Sequence, residues 1–292
     1  MFRGIIILCL LMVLFSCAKN KVIDTSPSSL RFGTDETLDI VTWNVENFPK
    51  QDNITINSLV ELIDSLNVDI IALQEVESET DFMNLINKLD DWEGYRANSA
   101  SFNINLALLY SNNLEVVSIY EIFEDDWWSF PRSPLVAQIE WNGQNVYIIN
   151  NHFKAMGGTE NENRRESASE ELEYYINNHL ENYNVIVIGD LNDDLADEES
   201  INVFQNFIND STNYKFVDMK IANGSSVNFS KPDYPSHLDH ILITNELFDD
   251  FENLGSTVET IHIENYFHGG WNEYENFVSD HRPVGLRLYF NP

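Results

Sequence analysis

Polar residues stand where apolar runs begin or end along this chain. Asn44 follows Leu38 to Trp43, Glu75 follows Asp69 to Leu73, His152 follows Val146 to Ile149, and Asp190 and Asn192 follow Val185 to Ile188. Asp239 precedes Ile241 to Thr244, and Asp280 and His281 precede Val284 to Tyr289. Carboxylates with amide oxygens and no thiolate form a hard oxygen ligand set, which suits Mg²⁺ or Mn²⁺ rather than a structural zinc. Histidines beside such a set point to phosphate chemistry. A metal on a carboxylate lowers the cost of charge on phosphorus, a side chain orients or deprotonates water, and an imidazolium stabilises the anion. Ca²⁺ is a further candidate at Gly189-Asp190-Leu191-Asn192-Asp193-Asp194, although that stretch lacks the 12-residue spacing and terminal glutamate of an EF-hand.

Each residue taken alone has an ordinary explanation. Asn or Asp after a strand is turn chemistry, as at Asn44 or Asn192. Glu75 reads as a surface charge and His152 as a half-buried imidazole, which is also the reading for His179, His262 and His268. Joint occurrence at successive strand ends is what turns them into a candidate site, because ligands of α/β folds collect at strand ends and their loops.

The elements that must position them alternate. Leu38 to Trp43 is strand-like; Leu59, Leu62, Ile63 and Leu66 recur at helical spacing over 53 to 67; and 69 to 73 is a continuous apolar strand. A second strand, helix, strand unit runs from Val146 through a charged helix over about 162 to 182 to Val185–Ile188. Between them lie strands at Leu106 to Tyr110, Leu114 to Tyr120 and Leu135 to Trp141, the last turning through Asn142-Gly143, a tight-hairpin dipeptide. Later strands are expected at Ile241 to Thr244, around Val258 to Ile263, and at Val284 to Tyr289. The pattern predicts an α/β domain with helix-covered sheets.

Across 292 residues, 16 Lys and Arg face 48 Asp and Glu, a formal charge of −32. That excludes a generally basic nucleic-acid binder. Six Trp and eighteen Phe within 43% hydrophobic residues supply a full core and exclude wholesale disorder. The two cysteines, Cys9 and Cys17, are too few for a disulfide framework. Both fall in or beside the apolar run Ile5 to Phe15, which follows Arg3 and reads as an export signal too short to span a bilayer. Residues 1–17 are therefore expected to be a signal, 18–37 a polar tether and 38–292 one catalytic domain. Cys17, just after the apolar run, resembles a bacterial lipobox. That implies acylation there, a lipid anchor in a membrane, and a cell-envelope lipoprotein or a secreted protein.

Six ordered segments carry a family resemblance: Thr42-Trp43-Asn44-Val45-Glu46-Asn47, Leu73-Gln74-Glu75-Val76, Asn151-His152-Phe153-Lys154, Gly189-Asp190-Leu191-Asn192-Asp193, Leu238-Asp239-His240-Ile241 and Ser279-Asp280-His281-Arg282-Pro283-Val284. Together they resemble the endonuclease/exonuclease/phosphatase family from about Leu38 to Phe290. The resemblance implies a four-layered α/β sandwich, two facing sheets with helices outside. It also implies a metal-dependent phosphoesterase site, with Glu75, assisted by Asn44 and Asp280, holding the metal. Asp190 and Asn192 would position and activate water; His281, oriented by Asp239, and His152 would bind the scissile phosphate. Both Asp190 and His281 remain candidates for the base. One segment departs from the nuclease pattern: nuclease relatives tend to carry a tyrosine or acidic residue followed by Ser-Gly where this chain reads Phe102-Asn103-Ile104-Asn105.

The expected substrate is nucleic acid, DNA before RNA, cleaved by a monomer with no protein partner implied. Arg132 and Lys154 are the expected phosphate-binding cations, with Arg164, Arg165, Lys231 and Arg282 as further contacts. Phospholipid or small phosphate esters are the rival substrates, because Trp127-Trp128 and Tyr266 to Trp271 read as aromatic loops. A binding module that lost turnover is the remaining alternative, and nothing in the residues favours it.

Overall fold

The computed structural model describes residues 30–291. The expected signal, Cys17 and the first part of the expected tether lie outside them. Twelve strands are assigned: β1 Leu38–Phe48, β2 Ile70–Val76, β3 Trp92–Arg96, β4 Asn105–Ser111, β5 Glu115–Glu121, β6 Leu135–Trp141, β7 Gln144–His152, β8 Asn184–Asp190, β9 Tyr214–Phe216, β10 Asp239–Thr244, β11 Thr257–Thr260 and β12 Val284–Leu288. They form two six-stranded sheets, ordered β11-β12-β1-β2-β4-β3 and β5-β6-β7-β8-β10-β9. The parallel pairs β1/β2 and β7/β8 are joined through the helices α1, Asp52–Leu66, and, after α2, Glu79–Ile86, α3, Thr159–His179.

The two-residue period of a strand sorts each sequence run onto two faces. In β1, Leu38 and Ile40 join the core between the sheets, while Val41, Trp43 and Val45 join the core under α1 and α2. In β7, Val146 and Ile148 face between the sheets, while Tyr147 and Ile149, with Phe153 just past the strand end, pack under α3. Two sheets thus enclose one core, and a second and third core lie beneath the outer helices. This is the four-layered sandwich. On α1 the buried Ile56, Leu59, Leu62, Ile63 and Leu66 recur at helical spacing, and Asn67 ends the helix with a left-handed φ of 55°. The Asn142-Gly143 turn takes φ of 51° and 78°, the positive pair that a type I′ hairpin needs.

Two boundaries differ from the sequence reading. Residues 30–37 are not tether. Leu30 and Phe32 are buried in the core under α1, and the N–H groups of Phe32 and Gly33 both donate to the Leu66 carbonyl. The apolar pair hidden among polar neighbours is enough to dock the segment. The run toward Ile263 leaves the sheet at Thr260, and Ile263–Tyr266 forms a 3₁₀ turn instead. The aromatic stretch that follows is no exposed loop: Tyr266, Phe267 and Trp271 pack against the core, and Trp271–Phe277 is helical.

A candidate phosphoesterase site between the sheets

The same parity carries the polar strand ends into the gap between the sheets. Asn44 continues Leu38, Ile40 and Thr42; His152 continues Val146, Ile148 and Asn150; Asp190 continues Ile186 and Ile188; Asp239 precedes Ile241 and Ile243. Strand register then aligns them. His152 stands opposite Asp190 in the β7/β8 pair, and Asp190 opposite Asp239 in the β8/β10 pair. Close approach of β7 and β8 depends on Gly189, where a Cβ would come within 2.0 Å of the Asn151 carbonyl oxygen.

Beneath this row lies a buried amide layer. Gln74 Nε2 donates to Asn150 Oδ1 at 2.8 Å, and Asn150 Nδ2 donates to the Leu73 and Ala107 carbonyls at 3.0 Å each. These bonds tie one sheet to the other directly below the site. The sequence reading assigned neither residue a role.

Asp190 is the centre of the cluster. Its Oδ2 accepts from Asn44 Nδ2 at 2.9 Å and lies 3.5 Å from His152 Nε2 and 3.8 Å from His281 Nε2. Its Oδ1 accepts from the Asn192 N–H at 3.1 Å. Asn44 Nδ2 also reaches Glu75 Oε1 at 3.2 Å, so one amide bridges the two carboxylates. Glu75 holds a left-handed φ of 62° at a register break between β2 and β4, and its other oxygen accepts from the Asn47 N–H. Non-glycine residues held in that region cost on the order of 1–2 kcal/mol, and such strain gathers at functional sites.

His281 Nδ1 lies 2.7 Å from Asp239 Oδ2. Burial alone disfavours the imidazolium, but the carboxylates of Asp239 and Asp190 outweigh it and lift His281 to about 9. His152 goes the other way: burial, with Arg132, His281 and Lys231 nearby, holds its pKa well below the ordinary histidine value. Their surroundings therefore push the two histidines in opposite directions. Burial raises Asp190 to about 6, against the pull of His281. The backbone of His281 is held from behind, since Trp43 Nε1 donates to Tyr274 Oη at 2.9 Å and Tyr274 Oη in turn donates to the His281 carbonyl.

A cavity of about 620 Å³ opens on this cluster, lined by Glu75, His152, Asp190, Asn192, Lys231 and His281 among others. Asp280, expected beside Glu75 as a metal holder, instead gives Oδ2 to the Lys231 ammonium, and its Oδ1 lies 3.7 Å from His281 Nε2. Among the described residues, the metal-capable group gathered here is Asp190, Asp239 and His281. Lys231 also lies 3.1 Å from His281 Nε2. No periodicity marks it in the sequence, where it reads only as one more cation.

The other expected cations separate. Arg165 and Arg282 are buried and spent on the fold: Arg165 Nε pairs with Asp193 at 2.7 Å and its Nη1 donates to the Lys154 and Met156 carbonyls, while Arg282 pairs with Glu264 at 2.7 Å. Arg132 and Lys154, with Arg164, line a second cleft beside the cavity. A further buried group, Asp218 with His237 and His240, lies behind β10 and was missed, although its two histidines bracket the Leu238-Asp239 segment in sequence.

The donor set fits a hard divalent cation. Glu75 lines the cavity with 20% of its side chain exposed, and Asp190 stands across the shared Asn44 amide. Asp239 Oδ1 is buried with no hydrogen-bond partner among the described residues.

The sequence profile of the Endonuclease/Exonuclease/phosphatase family matches residues 41–281. No curated protein sequence matches the chain. Among solved structures, Danio rerio TDP2 in complex with a single-strand DNA product is 16% identical with a TM-score of 0.65, covering 88% of this chain and 100% of that one. The human Nocturnin catalytic domain with a bound sulfate anion is 17% identical with a TM-score of 0.64, covering 88% and 95%. The endonuclease/exonuclease/phosphatase from Bacteroides vulgatus is 16% identical with a TM-score of 0.63, covering 87% and 99%. At these identities the likeness is one of fold.

Proposed function

We infer, because the chain belongs to the endonuclease/exonuclease/phosphatase family and is thereby a metal-dependent hydrolase of phosphoric esters, that its substrates are phosphodiesters of nucleic acid, DNA before RNA. The observation that carries this reading is the in-register row His152, Asp190, Asp239, closed by His281 against Asp239. Two imidazoles face the Asp190 carboxylate across a single cavity, at 3.5 and 3.8 Å from its Oδ2. That arrangement binds a phosphoryl group and leaves one oxygen base for water.

Each residue has a task. His281, held by Asp239, offers Nε2–H to a phosphate oxygen and opposes charge that builds there. His152 contacts the same group as a neutral ring. Asp190 accepts the proton of the attacking water, with its Oδ1 fixed by the Asn192 N–H and its Oδ2 by Asn44. Asn192 Nδ2 donates to the Phe153 carbonyl at 3.2 Å and so fixes the strand end beside His152. Glu75, with the Asn44 amide beside it, would hold Mg²⁺ or Mn²⁺, which supplies Lewis-acid polarisation of the phosphoryl group.

The test is nicking of supercoiled plasmid by the purified protein with Mg²⁺, with chelator and His281→Ala as controls. Nicking lost in both supports the reading. Absence of both plasmid nicking and single-stranded DNA cleavage, with Mg²⁺-dependent hydrolysis of bis(p-nitrophenyl) phosphate intact, moves the substrate to phospholipid head groups or small phosphate esters. The reading includes export and a lipid anchor at Cys17, supported by the apolar run that ends before it. Cys17→Ser should release the protein from membranes, and unchanged retention removes the anchor.

A further inference from the structure

The second cleft, about 290 Å³, opens beside the site between two loops. Its lining includes Phe102, on the turn between β3 and β4, and Trp127, on the turn between β5 and β6. Both rings stand out of the surface, Phe102 92% exposed and Trp127 70% exposed. Isolated exposed aromatics are ordinary, but this pair faces one slot and its remaining lining includes Arg132, Lys154 and Arg164. Three of the 16 basic residues of a chain with net charge −32 converge there. Aromatic faces with interleaved cations on an otherwise acidic surface match a planar base joined to a phosphate.

The backbone that carries each ring is held in place. Phe102 and Asn103 hold left-handed φ values of 63° and 61°, an outlier for a ring-bearing residue. Their turn is clamped by Arg96, whose Nη2 donates to the Asn103 carbonyl at 3.0 Å, and by Asn105 Oδ1, which accepts from the Ala100 N–H at 3.1 Å. On the opposite side Arg164 donates to the carbonyls of Trp127 and Trp128 and lies 5.9 Å over the Trp128 ring. Phe123 and Phe130, which flank that turn, stack at 4.8 Å. A rigid slot loses little freedom when it is filled.

The slot also adjoins the reacting centre. Lys154 is two residues from His152, and Arg132 Nη1 approaches the Phe153 carbonyl at 3.4 Å. Arg132 feels the charges of both Glu75 and Asp190. A group in the slot is therefore one short tether from a phosphate at His152 and His281.

We propose that Phe102 and Trp127 form a base-stacking subsite that takes the nucleobase next to the scissile phosphate, with Arg132, Lys154 and Arg164 on its phosphate and sugar edge. The proposal rests on the phosphodiesterase reading above and narrows it. A base can stack on these rings only after leaving its own stack, so single strands, frayed ends and mononucleotide esters are the preferred substrates and intact duplex a poor one.

The test uses the full protein with two activated diesters, thymidine 5′-(p-nitrophenyl phosphate) and methyl p-nitrophenyl phosphate, which carries no base. Phe102→Ala and Trp127→Ala should each lower kcat/KM for the thymidine ester by about ten- to a hundredfold, the range for loss of one base–aromatic stack. They should lower that for the methyl ester no more than about twofold. Trp127→Phe should keep most of the preference. Equal losses on both esters, or none on either, overturn the subsite. Binding read by tryptophan fluorescence in chelator separates this result from the catalytic reading, because it needs no turnover. Quenching by 2′-deoxyadenosine 5′-monophosphate, weaker for 2-deoxyribose 5-phosphate and reduced in Phe102→Ala, which keeps Trp127, supports the subsite even if neither ester is hydrolysed. Equal affinity for the two compounds, or anionic phosphatidylglycerol vesicles bound through Trp127 without base discrimination, overturns it.

Discussion

Asp218 Oδ2 lies 2.6 Å from His240 Nδ1, with both side chains fully buried behind the strand that carries Asp239. The same oxygen meets His237 Nε2 at 3.1 Å, while Oδ1 accepts from the Ile241 N–H. Although burial works against its charge, the two histidines hold Asp218 below the usual carboxylate range. His240 Nε2 then reaches the Asp193 carbonyl at 2.9 Å, and the Asp193 carboxylate holds Arg165. A relay of buried polar groups thus runs from β10 to the 154–156 rim of the cavity. Its oxygen-to-nitrogen distance of 2.6 Å and its complete set of donors mark a hydrogen-bonded ion pair rather than a metal site.

Asp218→Asn removes the anion that His237 and His240 face in a fully buried site. Breaking one side of a buried pair costs about 3–5 kcal/mol. The unfolding midpoint in urea should fall accordingly with an unchanged slope. A variant as stable as the parent would show that the pair contributes nothing net.

Asp239→Asn tests the orientation of His281. The amide can still accept from Nδ1–H through its oxygen, so the ring stays in place, but the anion that supports the imidazolium is gone. Turnover of a generic phosphodiester with Mg²⁺ should drop by about 10²- to 10⁴-fold with KM changed far less. Near-parental kcat would remove Asp239 from the mechanism.

Much of this was legible in sequence, and the reason is parity. Continuous apolar runs fix strand faces, so the polar residue at a run's end inherits a direction; that is why Asn44, His152, Asp190 and Asp239 come together in one gap. Elements without a run escaped. β3, Trp92–Arg96, has half-buried and exposed positions only, and β9 is three residues long. Asp280 was read through its motif alone, which says nothing of Lys231, 49 residues earlier on another loop. Likewise Arg165 and Arg282 looked like surface cations because burial of a charge depends on partners that spacing does not reveal, here Asp193 and Glu264.

The docked segment before β1 predicts its own weight. Phe32 is 4% exposed, its ring lies 5.1 Å beneath the Arg287 guanidinium, and Gly285 has no side chain where a Cβ would touch the ring. Phe32→Ala should cost about 3–5 kcal/mol, as Phe truncations in packed cores do. Calorimetry on the full protein reads it. A cost below about 1 kcal/mol would return residues 30–37 to the tether.

Asp39 makes stability depend on pH in a direction opposite to most paired carboxylates. Burial pushes its carboxyl up to about 7, against donation from the Thr34 N–H and the Thr37 hydroxyl, with Asp69 adding repulsion and Arg287 opposing it. Asp69, whose Oδ2 accepts from the Asp39 N–H, is itself pushed to about 6 by burial. The folded pKa lies above the unfolded one, so on raising the pH the unfolded chain releases this proton first. The stabilising share of protonated Asp39 is complete below about pH 4 and is lost as pH rises through about 7. Asn in its place keeps an oxygen for Thr34 and an amide for the Thr37 hydroxyl while carrying no charge. Asp39→Asn should therefore melt about 2–4 °C above the parent at pH 8 and no higher than the parent at pH 4. Because all other carboxylates are shared, the difference between the two melting curves isolates this site. A gap that stays constant from pH 4 to pH 8 would mean that Asp39 is ionised in the folded protein throughout, with Arg287 compensating its charge.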